Sequence, residues 1–438
     1  MASPKRRQEI LDALRRGTVP QDGLDLFAVG LDRFESTFDD ELRKVQAGGS
    51  MFKAVRGEYG CGKTFFARWL QERARRLNFA TTEVQVSETE TPLHRLETVY
   101  RRMLERLATA SVKSAAFRSV VDAWFYTLEE DVLRAGKAGA GDGSVLLAET
   151  SRLMEQRLKD LSRTAPSFSA ALRGYRETLA QGDMAGAEGL MAWVSGQPNV
   201  AATVKRGANI KGEVDHFTAL SFLQGLLLVL RDSGHAGLVV LIDEVETLQR
   251  VRSDARDKAL NALRQWIDEL DAGRFPGLYL LITGTPAFLD GPQGISKLPP
   301  LAQRLNTDFT TDARFDNPRA PQIRLQPFDL NLLMAVGRKV RDLFVSGATE
   351  PSRVQAKADD ALLEALARGV AGTFGGRIGI APRLFLKKLV ADVLDRIELY
   401  PQFDPRRDYR LTVREEELTE DERNLAPAGS VNDISLAL

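Results

Sequence analysis

The chain has 438 residues, enough for two or three domains, and its 60 Lys plus Arg balance 60 Asp plus Glu, which excludes a global basic field for nucleic acid and leaves only local patches. At 43% hydrophobic and 27% charged it has the composition of a soluble globular protein; no run approaches the roughly 18 apolar residues of a membrane span, and the opening MASPKRRQEILDALRRG is charged and lacks the apolar core of a secretory signal. Cys61 is the only cysteine and His94, His216 and His235 are scattered, which excludes an intramolecular disulfide and a structural zinc site and fits a reducing, cytoplasmic compartment.

Arg6 to Arg16 reads as a short amphipathic helix with Ile10, Leu11 and Leu14 on one side, ended by Gly17. GTVPQDGLDLFAVGLDRF is turn-rich, and a second amphipathic helix follows from Leu31 to Val45, with Phe34, Phe38, Leu42 and Val45 at helical spacing. Met51 to Thr64, MFKAVRGEYGCGKT, then runs as an apolar strand, Gly57-x-x-x-x-Gly62-Lys63-Thr64, and an immediate helix beginning Phe65-Phe66. This is the Walker A pattern in the strand-loop-helix setting that a phosphate-binding loop needs. Gly57, Gly60 and Gly62 let the backbone turn so that successive N–H groups, Glu58 to Phe65 included, point at a polyphosphate. Lys63 supplies a cation for the β- and γ-phosphates, the Thr64 hydroxyl is placed for Mg²⁺, and the helix start adds its positive dipole end.

The helix from Thr64 to Asn78 is followed by a strand from about Thr82 to Ser87, and Thr91-Pro92 has the form of a helix start. Leu93, Leu96, Tyr100, Met103 and Leu107 mark the apolar face of that helix. Its other face carries His94, Arg95, Arg101, Arg102 and Arg106, which suits a solvated surface better than a DNA contact. From about Ala108 to Asp215 the pattern is helical, broken by AGKAGAGDGS (Ala135 to Ser144) and by KRGANIKGEVD with Lys205, Arg206 and Lys211. Because it separates strands that belong to one sheet, it reads as a helical insertion. A strongly apolar helix spans His216 to Arg231.

LVVLI (Leu238 to Ile242) suits a parallel strand buried on both faces and ends in Asp243-Glu244, the Walker B pattern. A helix from Asp254 to Asp271, a second such strand, LYLLIT (Leu278 to Thr283), and a candidate strand from Gln322 to Gln326 complete a three-layer α/β core. Helices from Asn331 to Phe344, near Asp359 to Arg368, and from Pro382 to Tyr400 form an appended helical domain. The tail from Pro401 has an acidic stretch at Glu415 to Glu422. The units are therefore 1–107, 108–215 (insertion), 216–328, 329–400 (lid) and 401–438 (tail).

Triphosphate hydrolysis needs neutralised phosphate charge, a water held in line, and a stabilised transition state. Asp243 at its strand end is placed for the metal's water shell and Glu244 as the base that polarises the attacking water. If LYLLIT lies between the two motif strands, Thr283 sits near the γ-phosphate. Cys61 reads as a small loop residue rather than a nucleophile, since no histidine is near it in sequence.

The set GEYGCGKT, LVVLIDE, LLITGT and a later Pro-Arg resembles the AAA+ ATPases, closest to the origin-recognition and STAND-like branches. That resemblance implies a P-loop NTPase core with a helical lid, and adenine wrapped by Val19-Pro20 and Val29-Gly30. It also implies a sensing arginine at Arg383 in GGRIGIAPRLFLKKLV, and an arginine finger at Arg304 in LPPLAQRLN that reaches a neighbouring subunit's site. GTVPQDGLDLFAVG, VRGEYGCGKTFF and HAGLVVLIDEVETLQR, with an insertion between them, look more narrowly like the BrxD-type ATP-binding proteins of bacteriophage-exclusion (BREX) systems. This implies an ATP- and Mg²⁺-dependent ATPase of phage defence, acting as a homo-oligomer on or near double-stranded DNA beside a methyltransferase and a helicase. The alternative is a STAND-like nucleotide switch or scaffold that turns over little and recruits protein partners.

Overall fold

Val239, Val240, Leu241 and Ile242 are all fully buried, as a β-branched run covered on both faces requires. They belong to β3 (Leu238–Asp243) of a five-stranded parallel sheet whose other members are β1 (Met51–Arg56), β2 (Ala80–Gln85), β4 (Leu278–Gly284) and β5 (Gln322–Arg324). The computed structural model describes residues 3–139, 141–373, 382–418, 423 and 436–437. The strand order is β2-β3-β4-β1-β5, so β4 lies between the two motif strands. Pairing sets Val55 opposite Thr283, Ile242 opposite Ile282 and Gln85 opposite Asp243. The carboxyl ends of four strands therefore line up at one edge, where open α/β sheets bind ligands.

The two-residue period of the strands divides the core. Leu238, Val240, Ile242, Leu280 and Ile282 join one apolar cluster, whereas Val239, Leu241, Tyr279 and Leu281 join another. The first cluster runs without a break from the sheet into the helices Phe117–Arg134, Pro166–Ala180, Met184–Val194 and His216–Asp232. Phe222 is its hub, with edge-on contacts to Tyr100, Phe168 and Trp193 at 5.3–6.0 Å between ring centres. Polar ends of rings in this cluster are satisfied: Trp193 Nε1 donates to the Gly212 carbonyl at 3.1 Å, Tyr100 Oη to the Val194 carbonyl at 3.1 Å, and Trp124 Nε1 to Asp232 Oδ2 at 2.7 Å. The inserted segment thus shares its hydrophobic core with one face of the sheet.

The second cluster holds α1 (Pro4–Arg15), α2 (Asp32–Gln46) and α3 (Lys63–Arg76) against the other face, together with the lid helices Leu330–Val345 and Pro382–Lys387. Here Phe66 packs edge-on to Phe34 and Phe38 at 5.4 and 5.3 Å. Within the same layer a buried Lys53 is paired with Glu41 at 2.7 Å, and Tyr279 Oη donates to that carboxylate at 2.6 Å.

Several elements differ from the sequence expectation: β2 (Ala80–Gln85) lies two residues ahead of the expected Thr82 to Ser87, and β5 stops at Arg324 short of Gln326. The helix expected from Thr91-Pro92 starts at Leu96. Residues 87–95 are held in turns, with Ser87 Oγ accepting from the Glu90 and Thr91 N–H groups and Arg95 N–H donating to the Pro92 carbonyl. The last lid helix is continuous but π-helical from Lys388 to Leu394, and a helix at Pro351–Lys357 was not anticipated. In the tail, Tyr409, Leu411 and Leu418 are buried against the lid. Residues 374–381 ahead of Arg383, 419–422 of the acidic stretch, and most of the terminus lie outside the described residues.

Candidate nucleotide site

β1 delivers the chain into a loop that only glycine can close at three positions. Gly60 and Gly62 have φ of 78° and 94°, values an L side chain resists. At Gly57 the obstacle is space: an added Cβ would lie 2.2 Å from Cys61 Sγ. α3 begins at Lys63 with no side chain capping it, so its first-turn N–H groups face the loop as they do in anion sites. Cys61 is buried, and that burial pushes its thiol up to about 11, which leaves it a packing residue rather than a nucleophile.

The acids arrive from β3. Asp243 accepts from Thr64 Oγ1 at 2.9 Å on one oxygen and from Thr283 Oγ1 on the other. Three separated segments, the loop, β3 and β4, thereby converge on one carboxylate. Glu244 follows in the left-handed region, φ 59° and ψ 42°. Its N–H donates to Asp243 Oδ1 at 3.0 Å and to Thr283 Oγ1 at 3.4 Å. The bend turns its side chain to solvent, where Gln85 Nε2 donates to Oε2 at 2.8 Å.

A cavity of about 560 Å³ extends from these groups. Its walls include Val19, Pro20, Val29 and Gly30, the loop from Tyr59 to Phe65, and Asp243 and Glu244, with Arg383 at the lid. Phe65 meets Phe27 edge-on at 5.2 Å, and Phe328 and Leu332 close the apolar side. Such a combination, an apolar slot opening onto a ring of backbone N–H groups, suits a flat base joined to phosphates. Arg383 donates to the Glu417 carbonyl at 2.6 Å, which ties the mouth of the cavity to the tail.

Among the expected site residues, Gly57 and Glu58 shape the loop without lining the cavity, and Thr283 acts on it through Asp243. Arg304 stands apart from its own chain's cavity, on the helix Pro299–Leu305, with Nε 2.5 Å from Asp268. The apolar wall residues Phe27, Phe328 and Leu332 were not expected at the site, nor were two polar residues beside its acids. Gln85 could have been found from a strand ending one residue before Val86, and Glu246 from the third acid of Asp243-Glu244-Val245-Glu246. The Glu246 side chain turns inward on the short helix Val245–Gln249, is buried, and lies 3.6 Å from Lys63 Nζ. Burial, partly offset by Lys63, raises its pKa above the usual carboxylate value.

A family model described as BREX system ATP-binding protein BrxC/D matches residues 2–413. A search of curated proteins finds no match to the chain. No helix among the described residues is long and apolar enough to cross a membrane.

Proposed function

This chain belongs to the BREX system ATP-binding protein family BrxC/D, and on that premise we propose that it is an AAA+-type ATPase that hydrolyses ATP with Mg²⁺. The observation that carries the reading is the convergence of Thr64 and Thr283 on Asp243 beneath the phosphate loop. Thr64 Oγ1 and Asp243 Oδ2 are hard oxygen donors side by side, which fits a cation that takes one or two protein ligands and keeps its waters. Bound there, Mg²⁺ would offset the charge of the phosphates.

The chain's own groups supply the remaining parts. The loop N–H groups and Lys63 bind the phosphates, Asp243 orients the Thr64 hydroxyl, and Thr283 fixes the Asp243 carboxylate. Glu244 sits beside them as the base for an attacking water, with Gln85 holding its carboxylate. Val19, Pro20, Val29 and Gly30 form the base pocket, and Arg383 reaches in from the lid.

Purified protein tests this directly. ATP binding with Mg²⁺-dependent phosphate release is expected, Lys63→Ala abolishing binding and Glu244→Gln keeping ATP bound without turnover. A protein that binds no nucleotide would overturn the reading. The hydrogen bond from Gln85 to Glu244 favours a second reading of the same site, a switch with little turnover; ADP retained through purification by a monomer would select it.

Assembly and partners belong to the same proposal. Arg304, outside its own cavity and about one third exposed, is the residue offered to a neighbouring subunit in a homo-oligomer. Work beside a methyltransferase and a helicase is proposed on the resemblance to phage-defence ATPases. Contact with double-stranded DNA is assigned to the Arg101 face and the Lys205–Lys211 segment. Arg102 already pairs with Glu105 at 3.0 Å and Lys205 with Glu213 at 2.7 Å, so phosphate must displace these partners. DNA binding that is unmoved by salt or by reversing these charges would remove that assignment.

A further inference from the structure

Lys63 has three N–H directions, and each faces a protein acceptor. Its ammonium donates to the Gly57 carbonyl at 3.0 Å and to the Glu58 carbonyl at 3.3 Å. The third side faces Glu246 Oε1 at 3.6 Å, with both side chains less than a tenth exposed. The cation that a nucleotide's phosphates require is thus already engaged by its own loop and by one buried carboxylate.

Glu246 is poorly provided for otherwise. Its second oxygen, Oε2, is buried with no hydrogen-bond partner among the described residues, and it points toward Gly284 at the end of β4. Burial and the nearby Asp243 and Glu244 carboxylates oppose its ionisation, while Lys63, and to a lesser degree its own backbone N–H, favour it. When Lys63 turns to a phosphate, the Glu246 carboxylate loses that cation and faces added negative charge in a buried place, a costly arrangement.

We propose that Glu246 is a positioning residue that holds Lys63 in the nucleotide-free loop and competes with phosphate for it, so lowering nucleotide affinity and speeding product release. The inference rests on the nucleotide-site reading above. It makes the empty loop a defined, ion-paired state instead of a slack one, and each loading event an exchange of partners at Lys63.

The experiment compares wild type with Glu246→Gln, which keeps shape and removes charge, and Glu246→Asp, which keeps charge. ADP and a non-hydrolysable ATP analogue are titrated by calorimetry, release is followed by stopped flow, and melting is recorded with and without saturating nucleotide. Glu246→Gln is expected to bind both nucleotides about tenfold more tightly, mostly through slower release. It should melt earlier than wild type when empty and no earlier when loaded, because only the empty state uses the ion pair. Glu246→Asp should stay within about threefold of wild type, and Glu246→Ala should shift affinity in the direction of Gln if the amide does not pack.

Unchanged affinity in both neutral variants would overturn the proposal, as would an equal loss of melting temperature in both states, the mark of a purely structural acid. Turnover lost at unchanged affinity would also overturn it and make Glu246 the group that acts on water. Those outcomes leave nucleotide binding by wild type intact, whereas a wild type that binds neither nucleotide sinks the site reading and this inference together.

Discussion

Glu244 stores backbone strain that can be separated from its chemistry. Its φ of 59° and ψ of 42° lie in the left-handed region, where an L residue other than Asn or Asp costs about 1–2 kcal/mol. Glu244→Ala and Glu244→Gly both delete the carboxylate and the hydrogen bond from Gln85, so those losses cancel between them. The side chain is exposed, so little packing is lost in either variant. At an ordinary position glycine is about 0.4–1 kcal/mol less stable than alanine, through the entropy of the unfolded chain. Relief of the left-handed strain should reverse that order and leave Glu244→Gly about 0.5–1 kcal/mol more stable than Glu244→Ala. Urea denaturation of the nucleotide-free proteins measures the difference, and phosphate release shows both variants without turnover. A Gly variant no more stable than the Ala variant would refute the strain argument, and full turnover in either would remove Glu244 from the chemistry.

Three further outcomes follow from the same geometry. Thr283→Val deprives buried Asp243 of a hydroxyl donor and the Glu244 N–H of an acceptor; turnover should fall at least ~10-fold at nearly unchanged nucleotide affinity, consistent with ~1–3 kcal/mol for a broken buried hydrogen bond, and paired kinetics and binding assays will show it. Cys61, with its thiol raised from 9.0 to about 11 by burial, should be alkylated by iodoacetamide at pH 8 about 100-fold more slowly than in urea. The raised value means the fold favours the neutral thiol, so this contribution to stability is complete below pH 9 and is lost as pH rises toward 11, which denaturation against pH can follow. Arg304→Ala removes a pair with Asp268 whose side chains are about one third exposed, worth ~0.2–1 kcal/mol, and a hydrogen bond to the Pro300 carbonyl, yet mixing it into wild type should depress turnover by more than its mole fraction if the arginine serves a neighbour's site; a linear decline would confine it to its own chain.

What the sequence could and could not disclose divides along the distance over which each feature is specified. The phosphate loop is contiguous: its glycines are demanded by local φ values and by the Cys61 thiol four residues on, so spacing alone exposes them. Asp243 was equally legible, because an apolar strand ending in two acids is a local pattern. Gln85 was not, since the hydrogen bond that gives it a place crosses 159 residues and depends on the register of β2 against β3. A slip of one residue would turn that side chain to the other face of the sheet. Glu246 was hidden for a different reason: the 3-10 turn Val245–Gln249 swings it inward, opposite to Glu244, and neither helical nor strand periodicity anticipates that rotation. The segment from 108 to 215 read correctly as helical, but spacing says which face of a helix is apolar and not what covers it; Phe222 and Trp124 show that the cover is the sheet's own core. The same division bears on mechanism. Lys63 looks, in sequence, like a free cation awaiting phosphate, and only the nonlocal approach of Glu246, 3.6 Å away, brings a competing carboxylate into view, the basis of the exchange of partners proposed above.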